Sequence, residues 1–415
     1  MDHSALREEP VRSRLSIGKV EFIALAAALM ALNAMAIDIM LPALQQIGAA
    51  LGVSNENHRQ FVITAYLVGF GGAQLFYGPI SDRFGRRGPL LFGLVVYVSA
   101  ALASAFAPSF AALLALRFLQ GIGSAATRVI AVSAIRDVFE GRQMAEVMSM
   151  VMMVFMVVPV MAPSLGQGAM LLGNWSLIFL MMATLALLIT LWAMLRLPET
   201  MAPEDRRSLS LASVTEGFRL VVTSRIALGY AFATTAIFGA LFGFINSAQQ
   251  IYVDIYGMGD LFPLLFAIGA GLMALSSFTN SRLVGRFGMR RLSHGALVGF
   301  LLVNGVWLVL SLLGPIPFPV FFLLFSLSMF QFGWIGPNFN AIAMEPLGRV
   351  AGTAAAVLGF LTTLGGGIIG ALIGQAFNDT LTPLAGGYFA VSFAAIVLVL
   401  IAERGRLFRT VNPAL

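Results

Sequence analysis

Charge is scarce in this chain: 11% of its 415 residues are Asp, Glu, Lys or Arg, against 59% hydrophobic. A soluble domain so poor in charge would lack the side chains to cover its surface, so the composition implies a protein solvated by lipid. Cysteine is absent, which excludes disulfides, thiolate catalysis and cysteine metal sites. Lys19 is the sole lysine and Val20 follows it, so no Gly-x-x-x-x-Gly-Lys-Ser/Thr phosphate loop exists. ATP hydrolysis is thereby excluded as the energy source; an ion gradient is its natural replacement, and no cofactor is expected. His3, His58 and His294 stand too far apart to be read as a metal-ligand pair. The apolar runs contain no paired carboxylates and no nucleophile–base motif, which argues against an intramembrane enzyme.

What is present is a series of long, continuous apolar runs. They do not alternate as the strands of a membrane barrel do, so helices are expected. At about 20 residues per crossing, the length accommodates about twelve. Hydropathy places spans near 19–47, 59–81, 88–106, 109–136, 142–171, 174–196, 225–253, 261–284, 292–313, 317–344, 350–377 and 382–402. Connections bearing arginine (83–87, 136–142, 196–225, 282–291, 349 and 404–409) alternate with connections almost free of positive charge, Arg59 being the exception. Lysine and arginine mark the cytoplasmic side, so both termini are expected there. The net charge of +6 belongs to this pattern, not to nucleic-acid binding. The first run ends in Ala34-Met35-Ala36 and imitates a cleavable signal, but removing it would leave an odd number of spans.

The organisation predicted is a tail (1–18), a six-helix bundle (19–196), a linker (197–224), a second six-helix bundle (225–402) and a tail (403–415). The linker is the only long polar connection, and its stretch near 209–220 has the pattern of a surface helix. Asp82-Arg-Phe-Gly-Arg-Arg87 recurs half a chain later as Gly285-Arg-Phe-Gly-Met-Arg290, as two pseudo-equivalent halves around a central site require.

The first of these repeats sits in Gly78-Pro-Ile-Ser-Asp82-Arg83-Phe-Gly85-Arg86-Arg87, which resembles the loop between helices two and three of the major facilitator superfamily. That resemblance covers nearly the whole chain. It implies an all-α membrane fold of twelve helices in two pseudo-symmetric halves. It further implies that Asp137, ending the fourth helix, pairs with Arg83, and that Asp82 lies against the start of helix eleven near Ala351-Gly352-Thr353. A carboxylate is favoured at a helix N-terminus. The result would be a latch on the cytoplasmic side made of Gly78, Asp82, Arg83, Gly85, Arg86, Arg87 and Asp137. Gly285 replaces Asp82 in the second half, so the latch is expected to be one-sided.

Inside the spans, Asp38 lies in Asp38-Ile-Met-Leu-Pro42. A carboxylate in hydrocarbon must face protein or water or stay protonated, which suits a reversible proton carrier. The Asp-x-x-x-Pro pattern resembles helix one of drug:proton antiporters. Arg117, Gly121, Ser124 and Arg128 follow offsets of 4, 3 and 4 and so share one helix face, which must line the interior. Arg117-Phe-Leu-Gln120-Gly121 resembles the superfamily's helix-four motif; Arg117 is expected beside Asp38 in proton coupling, or else as a structural clamp on backbone carbonyls. Arg128 has no role assigned. Pro159, Pro163 and Gly166 resemble the antiporter motif of helix five, with Ala162 where glycine is usual, and imply a hinge. The substrate cavity is expected from Asn33, Tyr66, Gln120, Ser124, Met156, Asn246, Gln249, Gln331, Trp334 and Asn338.

Ala343 to Ala354, with the helix-one and 2–3 loop motifs, resembles the bicyclomycin-resistance (Bcr/CflA) group of multidrug exporters. The reading is a monomeric bacterial inner-membrane exporter of small, largely apolar compounds in exchange for protons, with lipid around it and no nucleic acid. The alternatives are a metabolite exporter, a proton symporter and a non-transporting receptor.

Overall fold

In hydrocarbon every backbone N–H and C=O must be satisfied within the segment, so apolar runs of this length become helices. The computed structural model describes residues 17–408 except 140, 203, 205, 207–214 and 216–218, with the side chains of 141, 142, 145, 149, 155, 156 and 348–353 outside the description. Twelve helices among these residues are long and apolar enough to cross a membrane. They are α1 (Lys19–Ala50), α2 (Glu56–Phe84), α3 (Arg87–Ser104), α4 (Phe110–Val138), α5 (Glu146–Leu172) and α6 (Ser176–Arg196), then α7 (Arg225–Ile255), α8 (Gly259–Phe287), α9 (Met289–Leu313), α10 (Phe318–Leu347), α11 (Ala354–Gln375) and α12 (Thr382–Ala402). Each falls within a few residues of its expected span. An even number of crossings puts the start of α1 and the end of α12 on one side, here called the terminal side. Of the surface helix expected near 209–220 only 215, 219 and 220 are described, and residues 1–16 and 409–415 of the expected tails lie outside the described residues.

Lipid is as apolar as leucine, so helices associate through close packing of small residues. Gly121 of α4 abuts the Tyr66 carbonyl and Phe70 amide of α2, where a Cβ would collide with backbone. The glycines of α11 work the same way: Gly366 and Gly370 lie on Phe242 and Gly243 of α7, and Gly374 on Asn246. That ladder fixes α11 to α7 within the second half. Contacts between the halves run along α2 with α11 and α5 with α8. Gln74 of α2 donates to Thr363 Oγ1 over 3.2 Å, where α11 widens into a π-helical turn at Leu361–Gly365.

Helix α1 is interrupted. Its α-helical part ends at Asp38, and Leu41–Ala43 forms a 3-10 turn before Leu44–Ala50 resumes. Pro42 has no N–H to offer the Asp38 carbonyl four residues back, so the break belongs where the sequence puts it. Helix α5 runs through Pro159 and Pro163 without interruption. Its Gly166 meets the Ile39 carbonyl so closely that a Cβ would overlap it. The hinge motif of α5 thus rests on the break beside Asp38.

Candidate functional site

Three charged side chains stand in the middle of spans: Asp38, Arg117 and Arg128. Asp38 is buried, and among the described residues its carboxylate has no hydrogen-bond or ion-pair partner. Buried ionised carboxylates are expected to be paired, so the unpartnered state suits a neutral, protonated acid.

Of the two arrangements expected for Arg117, its contacts are those of the backbone clamp. Its Nη2 donates to the Ala36 carbonyl over 2.8 Å, its Nε to the Val62 carbonyl over 3.2 Å and its Nη1 to Gln120 Oε1 over 2.6 Å. The guanidinium also sits 4.6 Å from the Tyr66 ring centre. Five fixed N–H donors let one arginine satisfy carbonyls from two helices at once. Arg117 therefore clamps α1, α2 and α4, and its bond nearest Asp38 is to the carbonyl two residues before it.

One level nearer the terminal side, Tyr66 Oη donates to Ser124 Oγ over 2.7 Å, and Asn33 Nδ2 lies 3.2 Å from Tyr66 Oη and 3.3 Å from Ser124 Oγ. Asn33, Tyr66, Ser124 and Gln120 are thus brought together within the first half. The remaining expected cavity residues are dispersed. Trp334 Nε1 donates to Thr279 Oγ1 at 2.9 Å and Asn338 Nδ2 to Asn280 Oδ1 at 2.6 Å, which ties α10 to α8. Gln331 bonds its own helix at Leu327 and lies over Gly299 of α9. Asn246 and Gln249 are buried in α7, and neither amide atom of Asn246 has a hydrogen-bond partner among the described residues. The Met156 side chain lies outside the described residues. An apolar groove of about 780 Å³ on α2, α3 and α4, lined by Phe76, Phe92 and Phe118, contains none of the expected cavity residues.

On the side away from the termini, the halves meet through amides. Gln60 Nε2 donates to Gln250 Oε1 over 2.5 Å, and Gln250 Nε2 to Asn57 Oδ1 over 2.8 Å. Asn57 Nδ2 donates to the Gln375 and Phe377 carbonyls at 3.1 and 2.8 Å. Asn57, Gln60 and Gln375 were not singled out from the sequence. Their signal was faint, because an amide in a polar turn between spans is unremarkable until its partner half a chain away is known.

On the terminal side, the pairing expected for Arg83 falls to Arg86. Its Nε donates to Asp137 Oδ2 over 2.8 Å and its Nη1 to Asp82 Oδ1 over 2.6 Å. Arg83 lies over the Phe84 ring instead, 5.6 Å from its centre. The reason is the turn. Gly85 adopts φ +90°, which ends α2 and carries Arg86 back under the helix; glycine takes that backbone freely. Burial alone would push the Arg86 guanidinium down, but its bonds to Asp137 and then Asp82 hold it above the usual arginine value. Glu199, missed in the sequence, accepts from the Arg86 amide at 2.7 Å and the Arg87 amide at 3.2 Å. Arg87 Nη2 donates to the Met194 carbonyl. A Cβ at Gly78 would meet open space. The expected contact of Asp82 with residues 351–353 lies outside the described side chains.

The second half is not bare, as Gly285 had suggested. Arg290 Nε donates to Glu403 Oε1 over 2.7 Å and its Nη2 to Glu345 Oε2 over 2.8 Å. Glu345 ends α10 as Asp137 ends α4, and Glu403 follows α12 as Glu199 follows α6. The charge cluster is repeated with different residues, which masked it in the sequence.

Comparison with known proteins agrees with this arrangement. The Major Facilitator Superfamily family model matches residues 23–371. A bicyclomycin resistance protein homolog of Haemophilus influenzae is 32% identical over 372 residues, 88% of this chain and 90% of the relative. A multidrug resistance protein MdtL of Salmonella typhi is 29% identical over 390 residues, 91% and 95% of the two chains. Among solved structures, an inward-facing, occupied bacterial homolog of the human lysosomal transporter Spinster covers 98% of this chain and 100% of its own at TM-score 0.71 and 15% identity. The Escherichia coli xylose transporter XylE, in a partially occluded inward-open state, covers 93% and 97% at TM-score 0.70 and 13% identity. At such identities the structural likeness speaks for the fold, while the family match and the curated relatives speak for descent, and together they make this chain a member of the major facilitator superfamily.

Proposed function

We propose that this chain exports small, largely apolar compounds, drugs among them, across the bacterial inner membrane in exchange for protons. The observation that carries the reading is Asp38: an acid buried at a helix break, with no partner among the described residues. Such a group takes and releases a proton when access to it changes sides. The family supports transport, and the names of the relatives support drugs as cargo.

The two bundles, 19–196 and 225–402, rock about the contacts of α2 with α11 and α5 with α8. The amides Asn57, Gln60, Gln250 and Gln375 close one mouth, and the Asp82–Arg86–Asp137 cluster stabilises closure of the other. Pro159, Pro163 and Gly166 carry the strain of that motion to Asp38. The arginine-rich terminal side is cytoplasmic by the positive-inside rule. One chain provides the whole pathway, with the proton gradient in place of a cofactor and no catalytic activity of its own.

The test is flux of radiolabelled bicyclomycin in liposomes containing the purified chain, with and without a pH gradient. Drug movement opposite to the proton gradient is the expected result. Co-directional movement would make the chain a symporter, and no movement under either condition would remove the transport reading for this compound class.

A further inference from the structure

Arg128 is the one mid-span charge that neither the fold nor the proton pathway uses. It shares its helix face with Arg117, Gly121 and Ser124, and at those three levels the face is closed by α1 and α2 through the bonds and contacts already described. Arg128 follows one turn further towards the terminal side. It lies deep in the bundle yet keeps part of its surface open. Among the described residues it has no hydrogen bond, ion pair or ring contact.

Among the described residues of α1, α2, α4 and α5, every acid but Asp38 is engaged elsewhere. Between its ends α4 has no acid, and its terminal Asp137 is held by Arg86. On α1 the acids are Glu21, bound by Arg196, and Asp38. On α5 the only one is Glu146, facing Lys19. On α2, Glu56 faces Arg59 and Asp82 is held by Arg86. Asp38 belongs to the level of Arg117, whose guanidinium reaches the Ala36 carbonyl. Eleven residues of helix separate Arg128 from Arg117, about 16 Å of rise. A guanidinium is never neutral at ordinary pH, and one left unpaired inside a membrane protein is costly unless a water-filled path or a ligand meets it.

We propose that Arg128 is an anion-recognition point in the transport path, and that the compounds carried by preference pair an apolar body with one anionic group such as a carboxylate. This rests on the exporter reading and narrows it from apolar compounds to amphiphilic anions. The planar fork of an arginine receives a carboxylate through two parallel hydrogen bonds. Arg117 is not free to do this, since its Nε and Nη2 are held by backbone carbonyls and its Nη1 by Gln120.

The test uses two probes of one skeleton, 2-naphthoate and 2-naphthamide, with purified full-length protein at about pH 7, where only the first is charged. Wild type should bind naphthoate more tightly, and Arg128→Gln should weaken naphthoate by about tenfold to a hundredfold while leaving naphthamide within about twofold. Arg128→Lys should recover part of the preference. Retained naphthamide binding shows that the variants are folded. Should the Gln variant not fold, the wild-type preference and its reduction in the Lys variant decide. Equal binding of both probes to wild type, absence of binding by either, or equal loss of both in the variant would overturn the proposal. Flux in liposomes separates the two readings. Discriminating binding without flux of either probe removes the exporter and keeps the site. Gradient-driven flux with no preference for naphthoate removes the site and keeps the exporter.

Discussion

Arg117 holds the carbonyl of Ala36 at 2.8 Å, two residues before Asp38, and leaves the Asp38 carboxylate untouched. The arginine holds the backbone just before the break that Pro42 sets, while the acid at the break has no counter-ion among the described residues. A paired acid would hold its charge; an unpaired one in a dry site is ready to be neutral.

Arg117 is therefore expected to matter for stability first. Arg117→Gln leaves the buried carbonyls of Ala36 and Val62 without their donors, at about 1–3 kcal/mol each. Thermal unfolding in detergent should show a clear fall in midpoint, with transport of every substrate reduced alike. An unchanged midpoint with selective loss of proton coupling would mean that Arg117 acts on Asp38 directly.

The two arginines flanking Gly85 should separate. Arg86 is buried between Asp82 and Asp137, and removing one partner of a buried pair costs about 3–5 kcal/mol. Arg83→Ala touches only a ring contact and should stay within about 0.5 kcal/mol. The comparison is folded yield and thermal midpoint of Arg86→Ala against Arg83→Ala. Equal effects would return the pairing role to Arg83.

Gly166 should tolerate no side chain. Gly166→Ala drives a Cβ into the Ile39 carbonyl and should cost about 1–3 kcal/mol through displaced helices. Because the displaced segment follows Asp38, turnover should fall more than substrate affinity. A variant with normal turnover would show that α5 need not bear on the α1 break.

The amide closure on the far side sets the resting balance of facing states. Gln250→Ala removes the bonds to Gln60 and Asn57, each contributing about 0.5–1.5 kcal/mol. Spin labels on the α1–α2 and α11–α12 turns should report a longer distance in at least twofold more of the population. An unchanged distance distribution would show that the closure is set by helix packing.

The helices were legible because lipid forces a continuous apolar run of about 20 residues to satisfy its own backbone. Asp38, Pro42 and the Arg117–Arg128 stripe were legible for the same reason, since polar groups stand out in such runs. The partners were not. Whether Arg83 or Arg86 meets Asp137 depends on φ at Gly85, and no spacing rule encodes that angle. Gln331, Trp334 and Asn338 resembled a binding wall because amides in hydrocarbon need partners; their partners turned out to be Thr279, Asn280 and their own helix carbonyls. The pairing of Arg290 with Glu345 and Glu403 was not legible because the repeat preserved their positions in the fold and not their motif.

The central claim is that the Asp38 carboxyl carries the proton that drives export. The most direct measurement is simultaneous drug flux and proton flux, the latter by an enclosed pH dye, in liposomes containing wild type or Asp38→Asn. Wild type should couple the two fluxes, and the Asn variant should lose both the gradient-driven drug movement and the drug-induced proton movement while still binding drug. Coupled fluxes at wild-type rate in Asp38→Asn would contradict the account.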